Sequence, residues 1–228
     1  MSGPLFDDYA DEYDKALARG ISFSGESRTY FALKRVEKTA ELLRDADGVE
    51  RVLDFGCGTG DTLPLLAEHL NARFGVGVDI SPRSIERARL HVPDERLRYE
   101  VMADCPAVAV FDVAYCNGVF HHIPPAERHG AACYVFDRLR PGGFFAYWEN
   151  NPWNPGTRLA MKRTPFDRDA ITLTPPESRA LLESAGFIIK HEVSMFLFPR
   201  VLGFLRFLEP WLLQWPIGAQ YLVLGQKL

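Results

Sequence analysis

Residues 52–60 read Val52-Leu53-Asp54-Phe55-Gly56-Cys57-Gly58-Thr59-Gly60, an apolar run that leads into three alternating glycines. A short apolar run of this kind predicts a buried strand, and residues 61–70 after it have helical spacing. Glycine between a strand and a helix permits a tight turn and lets a ligand approach the backbone closely. The free amides and positive dipole end of the following helix suit an anionic group. This turn is therefore the first candidate for a ligand site.

Strand-like and helical segments alternate along most of the chain. Strands are predicted at 51–55, 74–79, 97–102, 111–116, 144–148, 187–198 and 220–226, and helices at 7–17, 26–43, 61–70, 82–89, 126–139 and 176–185. Strands separated by helices of about ten residues indicate right-handed crossovers and a mainly parallel sheet. We therefore predict an α/β fold with a doubly wound sheet and helices on both faces.

The bulk composition narrows the class of protein. The 228 residues are 47% hydrophobic and 25% charged, with a net charge of −4 that gives no electrostatic reason to expect nucleic acid. The acidic N terminus lacks the features of a signal peptide, and no apolar run reaches the roughly 20 residues of a transmembrane helix. No cysteine pair is spaced as Cys-x-x-Cys, which predicts reduced thiols and no metal site. We expect a cytoplasmic protein.

Acidic residues follow the next two predicted strands. Asp79 ends the second strand, 19 residues after Gly60, where a carboxylate can accept hydrogen bonds from both hydroxyls of a ribose. Asp104 follows the third strand, where a carboxylate can accept from an adenine amino group. Since the carboxyl ends of the strands open onto one crevice, these side chains should converge. The glycine spacing is GxGxG, which differs from the GxGxxG of dinucleotide-binding proteins.

Five segments carry a family resemblance. In chain order they are Asp54-Phe55-Gly56-Cys57-Gly58-Thr59-Gly60, Gly77-Val78-Asp79-Ile80-Ser81, Ala103-Asp104-Cys105, the run from Phe111 to Ile123, and Leu139-Arg140-Pro141-Gly142-Gly143. Over roughly residues 50–150 they resemble the motifs of class I S-adenosylmethionine-dependent methyltransferases that act on small molecules. The resemblance implies a seven-stranded sheet with an antiparallel last strand and an N-terminal helical cap. It also implies S-adenosylmethionine as methyl donor and S-adenosylhomocysteine as product.

The resemblance further implies where the cofactor binds. The three glycines line its methionine part, Asp79 holds the ribose, and Asp104 with Cys105 flanks the adenine. Asn117 lies beside the sulfonium through its backbone, and Tyr13 belongs to an N-terminal helix that closes over the cofactor. The expected cofactor contacts are Tyr13, Asp54, Gly56, Cys57, Gly58, Gly60, Asp79, Ile80, Asp104, Cys105, Asn117, Gly118 and His122.

Two histidines follow the fourth predicted strand. His121 and His122 stand at the rim of the crevice, and an ordinary imidazole pKa of about 6.5 makes either a candidate base near neutrality. Methyl transfer mainly requires alignment of nucleophile, carbon and sulfur, although a hydroxyl nucleophile benefits from a base. His121 is slightly favoured to face the acceptor and His122 to contact the cofactor. A role of the pair in shaping the pocket remains the alternative.

Two long connections, 151–174 and 199–216, interrupt the alternation. The first leaves the carboxyl end of the fifth strand, where substrates bind in such folds. We expect Glu149, Asn150, Asn151 and Arg158 to line the acceptor pocket there, since arginine favours carboxylate or phosphate. An ordinary surface loop is the alternative.

The second connection has apolar residues at helical spacing, namely Val201, Phe204, Leu205, Leu208, Trp211 and Leu212. Its aromatic residues are Phe204, Phe207, Trp211 and Trp215. The pattern predicts a helix with a wide aromatic face. That face could pack in the core, contact a second copy in a homodimer, cover an apolar acceptor, or touch a membrane surface.

We therefore predict one methyltransferase domain over 1–228, with a helical cap at 1–45, a cofactor-binding core at 46–150, and insertions at 151–174 and 199–216 near the acceptor site. The predicted reaction moves a methyl group to a small metabolite, apolar or anionic, on oxygen first, with nitrogen or carbon left open. The alternatives are a nicotinamide-dependent oxidoreductase, a cofactor-binding scaffold without catalysis, and an RNA or protein methyltransferase. The glycine spacing argues against the oxidoreductase. The intact glycine turn with its acidic partners argues against a scaffold without catalysis, and the acidic net charge argues against an RNA substrate.

Overall fold

A computed structural model describes residues 21–46 and 48–228 of the chain. Seven strands form one sheet in this part: β1 (Arg51–Phe55), β2 (Phe74–Asp79), β3 (Leu97–Val101), β4 (Phe111–Asn117), β5 (Leu139–Asn150), β6 (Ile188–Met195) and β7 (Gln220–Gln226). Their order in space is β3-β2-β1-β4-β5-β7-β6. β7 runs antiparallel to both of its neighbours, whereas the pairs among β1 to β5 are parallel. This confirms the predicted sheet and its antiparallel last strand.

Helices cover both faces of the sheet. They are α1 (Arg28–Leu42), α2 (Thr62–His69), α3 (Pro82–His91), α4 (Arg128–Arg138), α5 (Pro155–Arg163), α6 (Pro175–Ser184) and the short α7 (Glu209–Leu212). Side chains cap several of them: Ser27 accepts from the amide of Tyr30 at the start of α1, and Ser81 does the same for Ser84 in α3. The helix predicted at 7–17 lies outside the described residues.

The strand order reverses beside β1. From β1 the chain adds β2 and β3 on one side, then crosses to add β4 on the other. Crossovers on opposite sides leave a crevice at the carboxyl ends of β1 and β4, which is the usual ligand position in open α/β sheets. The glycine turn, defined as residues 56–60, begins at this point.

The first long connection contains a helix that the sequence analysis missed. α5 spans Pro155–Arg163, and the side chain of Asn154 caps it by accepting from the amide of Thr157. The signal was present in the sequence, because a capping Asn before Pro at the first helical position is a standard helix start. Residues 151–174 are therefore an ordered helix and turn.

The second long connection is not the continuous amphipathic helix that its spacing predicted. Residues Arg200–Leu208 form 3₁₀ turns that are irregular at Leu202, and only α7 is α-helical. Gly203 and Pro210 explain the difference, because both disfavour a continuous α-helix. Phe204, Phe207, Trp211 and Trp215 are 62–74% exposed, so the expectation that this face packs in the core is wrong. Among residues 21–46 and 48–228, no helix combines the length and apolarity that crossing a bilayer requires.

Candidate active site

A cavity of about 970 Å³ lies over the carboxyl ends of β1, β2 and β4. Its walls come from α1, the glycine turn, the segment after β4, α5 with the turn that follows, and residues 196–209. Aromatic side chains line much of it: Tyr30, Phe31, Tyr134, Phe166, Phe196 and Phe198. The cavity therefore joins a polar floor at the strand ends to an apolar upper wall.

The glycine turn is shaped by backbone that other residues rarely adopt. Gly56 has φ +74° and Gly58 has φ +53°, in the left-handed region. A side-chain carbon on Gly56 would overlap the methyl groups of Val119, whereas one on Gly58 would meet no atom within 4 Å. Gly56 is thus needed for packing, and the bare backbone of Gly58 leaves room for a ligand.

Asp79 ties this turn to the end of β2. Its Oδ2 accepts from the amide of Gly58 at 2.9 Å, and its Oδ1 accepts from the amide of Ser81 at 2.9 Å. Both oxygens keep further lone pairs, because a carboxylate has about four acceptor positions. The carboxylate is half-buried and lines the cavity, as a ribose-binding acid must.

Two oppositely charged side chains lie in the cavity floor beside the turn. Asp54 is buried, and its Oδ2 has no hydrogen-bond partner within residues 21–46 and 48–228. Burial and the neighbouring Asp79 raise the pKa of Asp54 to about 7, although Arg35 opposes this. Arg35 is buried as well; it donates from Nε to the Tyr115 hydroxyl at 3.1 Å and from Nη1 to Gln220 Oε1 at 2.8 Å.

These features fit S-adenosylmethionine. The open space at Gly58 admits a ligand against the backbone, and the carboxylate of Asp79, which the sequence predicts to hold the ribose, lines the same cavity. The unpartnered, buried oxygen of Asp54 suits a cationic group, and the cofactor carries two such groups, a sulfonium and an ammonium.

Opposite the glycine turn lies a buried ionic cluster, the histidine cluster, made of His121, His122, Glu149 and Asp167. Nδ1 of His121 lies 2.7 Å from Glu149 Oε2, and Glu149 Oε1 accepts from the amide of Phe120 at 2.9 Å. Asp167 Oδ1 lies 3.2 Å from Nε2 of His122 and 3.5 Å from Nε2 of His121. Asp167 thus lies within ion-pair distance of both imidazoles, although Nε2 of His121 has no hydrogen-bond partner among the described residues, and Glu149 contacts the opposite nitrogen of His121.

The surroundings of the cluster shift the pKa values of the two histidines in opposite directions. Burial alone would lower the pKa of His121, but the carboxylates of Glu149 and Asp167 outweigh it and raise the pKa to about 10. Burial lowers the pKa of His122, and the charge of the nearby His121 lowers it further. The carboxylate of Asp167 raises it, but by less than the other two effects together. Near neutrality His121 is therefore an imidazolium and His122 is neutral.

Three of these groups also offer ligand atoms that could hold a metal ion. One atom each from His121, His122 and Asp167 lies within 4.8 Å of the others. However, a protonated His121 already supplies positive charge between the two carboxylates.

The structure brings most of the expected site residues to the cavity. The residues of that set that line it are Asp54, Gly56, Cys57, Gly58, Asp79, Ile80, Asn117, Gly118, His121, His122 and Asn150. Gly60, Asp104 and Cys105 do not: Gly60 packs under Tyr99, Asp104 is exposed, and the Cys105 carbonyl accepts from Arg138. The contact expected of Tyr13 lies outside the described residues. The cofactor roles of these residues stay predictions.

Three residues expected to line the acceptor pocket are placed elsewhere. Glu149 is fully buried behind His121, so it supports the wall without forming its surface. Asn151 is also buried and donates to the carbonyls of Pro216 and Gly218. Arg158 is exposed, because the periodicity of α5 turns Thr157 and Met161 inward and Arg158 toward solvent.

Sequence reasoning missed two residues of the site, Arg35 and Asp167. Arg35 shares the buried face of α1 with Ala32, Val36 and Thr39, and a charge on an apolar helix face was an available signal. Asp167 lies in a 3₁₀ turn after α5, where no periodic pattern indicates burial. Only the folded chain brings it to the histidines.

Comparisons with known proteins identify the family of the chain. The family described as methyltransferase domain matches residues 52–143. An uncharacterised methyltransferase of Synechocystis sp. is 30% identical over 148 residues, which cover 61% of this chain and 68% of that protein. The trans-aconitate 2-methyltransferase of Escherichia coli is 25% identical over 142 residues, which cover 61% of this chain. The match covers 56% of the Escherichia coli protein, so this chain spans little more than half its length.

A solved structure shows the same fold. The S-adenosylmethionine-dependent methyltransferase of Mesorhizobium loti superposes with a TM-score of 0.61 at 20% identity, over 83% of this chain and 96% of that one. The matched methyltransferase segment includes the glycine turn, Asp79 and both histidines. On the sequence match, the fold and the fit of the cavity floor, the chain belongs to the class I S-adenosylmethionine-dependent methyltransferases.

Proposed function

We propose that the chain methylates an oxygen of a small, partly apolar metabolite, and that His122 takes up the proton of the acceptor. The observation that carries the proposal is that the histidine cluster opens into the same cavity as the glycine turn. The methyl donor and the proposed base would thus face the same cavity. Nitrogen and carbon acceptors are the alternatives that the experiment below separates.

The chemistry asks little of the protein besides alignment. S-adenosylmethionine supplies a methyl carbon that its sulfonium already activates. The cavity walls hold the acceptor in line, which can supply most of the rate enhancement. An alcohol or phenol must also lose its proton, and a neutral His122 can accept it near pH 7. His121 cannot accept it there, because it is already protonated.

The shape of the cavity supports a small acceptor. It is enclosed by α1 on one side and by residues 196–209 on the other, and its upper wall carries Phe31, Phe166, Phe196 and Phe198. The Escherichia coli relative is named for trans-aconitate, a small molecule. We propose that both insertions, 151–174 and 199–216, form the acceptor end. The residues of the two insertions that line the cavity are Asn154, Pro155, Gly156, Thr157, Ala160, Met161, Thr164, Phe166, Asp167, Pro199, Arg206 and Glu209.

An acceptor screen tests the proposal. The purified chain is incubated with S-adenosylmethionine and panels of phenols, alcohols, carboxylic acids, amines and activated-methylene compounds. Formation of S-adenosylhomocysteine and the mass gain of one methyl group are measured for each. We expect turnover to concentrate on oxygen nucleophiles with an apolar body, and to rise with pH as His122 becomes neutral. Turnover confined to amines or carbon acids would contradict the proposal.

A further inference from the structure

Three side chains of the histidine cluster line the cavity, and one nitrogen or oxygen atom of each lies within 4.8 Å of the other two. We infer that His121, His122 and Asp167 form a binding site for a divalent transition metal ion of the zinc type. Two imidazoles and one carboxylate would hold the ion. The inference goes beyond the methyl transfer proposed above, and the binding does not depend on it.

The distances between the ligand atoms match those around a tetrahedral ion. Asp167 Oδ1 lies 3.2 Å from Nε2 of His122 and 3.5 Å from Nε2 of His121. Atoms that lie about 2.1 Å from a tetrahedral metal ion are about 3.4 Å from each other. Around an octahedral ion with similar bond lengths, neighbouring ligand atoms are only about 3.0 Å apart. The two measured distances therefore agree with two edges of one tetrahedron.

The imidazole of His121 has one nitrogen that lacks a partner. Its Nε2 is buried and makes no hydrogen bond within residues 21–46 and 48–228. A buried polar atom without a partner is costly, so an unpaired nitrogen in a folded chain needs an explanation. Because the side chain lines the cavity, an ion that enters the cavity can reach this nitrogen and satisfy it.

Glu149 contacts the other nitrogen of the same imidazole. Its Oε2 lies 2.7 Å from Nδ1 of His121, and its Oε1 accepts from the amide of Phe120 at 2.9 Å. A carboxylate in this position keeps a proton on the nitrogen that it contacts and leaves the other nitrogen for a metal ion, as is usual for ligating histidines. A metal ion would take the place of the second proton that His121 carries near neutrality, because a ligating histidine is neutral.

Backbone hydrogen bonds join the segments that carry the three ligands. The histidines lie in a 3₁₀ turn after β4, and Asp167 lies in a 3₁₀ turn after α5. The amide of Ile171 donates to the carbonyl of His121 at 3.1 Å. The buried guanidinium of Arg128 donates to the carbonyls of Ile123 and Ile171. The fold itself therefore brings the ligands together before any ion binds.

The ligand set also selects the kind of ion. Imidazole nitrogens with one carboxylate suit Zn²⁺ and Co²⁺, whereas Mg²⁺ prefers oxygen ligands and keeps its water. Three protein ligands leave the fourth position of a tetrahedral ion open. A bound ion would also occupy the nitrogen lone pair of His122, so we expect Zn²⁺ to inhibit methyl transfer to oxygen. That consequence, unlike the binding, rests on the proposed function.

Titration of the chelator-treated chain with Co²⁺ tests the inference. Tetrahedral Co²⁺ absorbs visible light strongly, whereas the hydrated ion absorbs weakly, so the spectrum reports binding and geometry without any substrate. We expect a saturable visible band from one ion per chain, which Zn²⁺ abolishes and Mg²⁺ does not. Zn²⁺ should also raise the melting temperature. The absence of a saturable band, or equal competition by Mg²⁺, would overturn the inference.

A second histidine provides the matched control. His129 and Cys133 lie one turn apart on α4, with Sγ 3.7 Å from Nδ1, so this pair could bind the same ions at the surface. His129→Asn removes the pair and should leave the visible band unchanged. A band that disappears in His129→Asn would assign the ion to the surface pair and overturn the inference.

Ligand variants are made in the His129→Asn background, and thermal melts without metal confirm that each is folded. His122→Asn and Asp167→Asn should each weaken Co²⁺ binding about a hundredfold or more, and Glu149→Gln about ten- to a hundredfold. Asp167→Cys exchanges the carboxylate for a thiolate, so it should still bind Co²⁺ and gain a near-ultraviolet sulfur-to-cobalt band. Unchanged binding in both asparagine variants, or a folded cysteine variant without the new band, would overturn the inference.

Binding and inhibition fail independently. If Co²⁺ binds with the expected variant pattern and Zn²⁺ leaves turnover of an oxygen acceptor unchanged, the metal site is supported and the base role of His122 is contradicted. If Co²⁺ does not bind, the metal site is overturned, and the acceptor screen still decides the proposed function.

Discussion

The two ends of the cavity are built in different ways. The glycine turn and Asp79 present mainly backbone, held by amide hydrogen bonds between residues close to the sheet switch point. The histidine cluster presents side chains from three separate segments, after β4, at the end of β5 and after α5. The first end thus offers backbone and the carboxylate of Asp79, and the second offers a cluster of ionisable side chains. Substitutions should therefore have different effects at the two ends. At the glycine turn they should change ligand binding and packing, and in the histidine cluster they should change turnover and stability.

The largest effect should come from the histidine that faces the cavity. His122→Asn removes the proposed base, so we expect turnover of an oxygen acceptor to fall about a hundred- to ten-thousandfold. Affinity for S-adenosylhomocysteine, measured on the same variant, separates this loss of turnover from a loss of the cofactor contact that the sequence predicts for His122. Steady-state kinetics with an acceptor from the screen, beside calorimetry, checks both. His91→Asn, an exposed histidine of α3, is the control, and equal turnover of the two variants would remove the base role.

Glu149→Gln should show that the histidine cluster supports stability as well. The substitution leaves the His121 cation with one carboxylate fewer in a fully buried setting. Removing one member of a buried ion pair costs about 3–5 kcal/mol, so we expect a fall of that size in the free energy of unfolding in urea. The double variant Glu149→Gln, His121→Gln should recover part of it. A loss below about 1 kcal/mol would mean that His121 is neutral.

Two glycine substitutions sharpen the contrast within the other end. Gly56→Ala combines left-handed strain with overlap on Val119, so we expect a loss of about 3 kcal/mol in unfolding free energy. Gly58→Ala carries the strain alone and should cost about 1 kcal/mol. Its methyl group enters the cavity, however, so it should weaken S-adenosylhomocysteine binding. Thermal melts with and without ligand measure both, and equal destabilisation by the two would contradict the packing argument.

A smaller effect concerns pH. Burial raises the pKa of Asp54 to about 7, above the value of about 3.9 for an unfolded chain. The folded state thus holds its proton more firmly, and this group lowers stability as pH rises from about 4 to about 7. Asp54→Asn should flatten that part of the stability profile. Below pH 7, binding of an ammonium beside Asp54 should release a proton, which calorimetry in buffers of different ionisation enthalpy detects. Proton uptake on binding would contradict this.

The smallest effect is expected outside both ends. Arg158 is exposed on α5 and does not line the cavity. Arg158→Ala should therefore leave acceptor KM and kcat within about twofold, as surface substitutions usually do. A large rise in KM for an anionic acceptor would show instead that the acceptor reaches the outer face of α5.

The difference between the two ends of the cavity also explains how much of the site could be predicted from the sequence. The glycine turn, Asp79 and the strands around them are local patterns, and the predicted bounds of β1, β2 and β7 match the structure. Asp167 and Arg35 contact residues that are distant in the sequence, so the spacing of residues along the chain could not predict their partners. Residues 200–212 show a further limit of prediction from sequence. Their apolar residues have helical spacing, but Gly203 and Pro210 prevent a continuous α-helix.

The second insertion is closed at its base. Gly218 donates its amide to the Ser194 hydroxyl at 2.8 Å and Ala219 donates to the Phe196 carbonyl, so the chain enters and leaves the insertion at one point. Asn151 and Asn154 clamp the same point from outside by donating to backbone carbonyls between Pro216 and Gly218. Because these contacts lie at its base, we expect that the segment can be exchanged as a unit. Transplanting residues 197–217 between relatives that share these hydrogen bonds should change the choice of acceptor, as the proposed acceptor end implies, and leave the sheet intact.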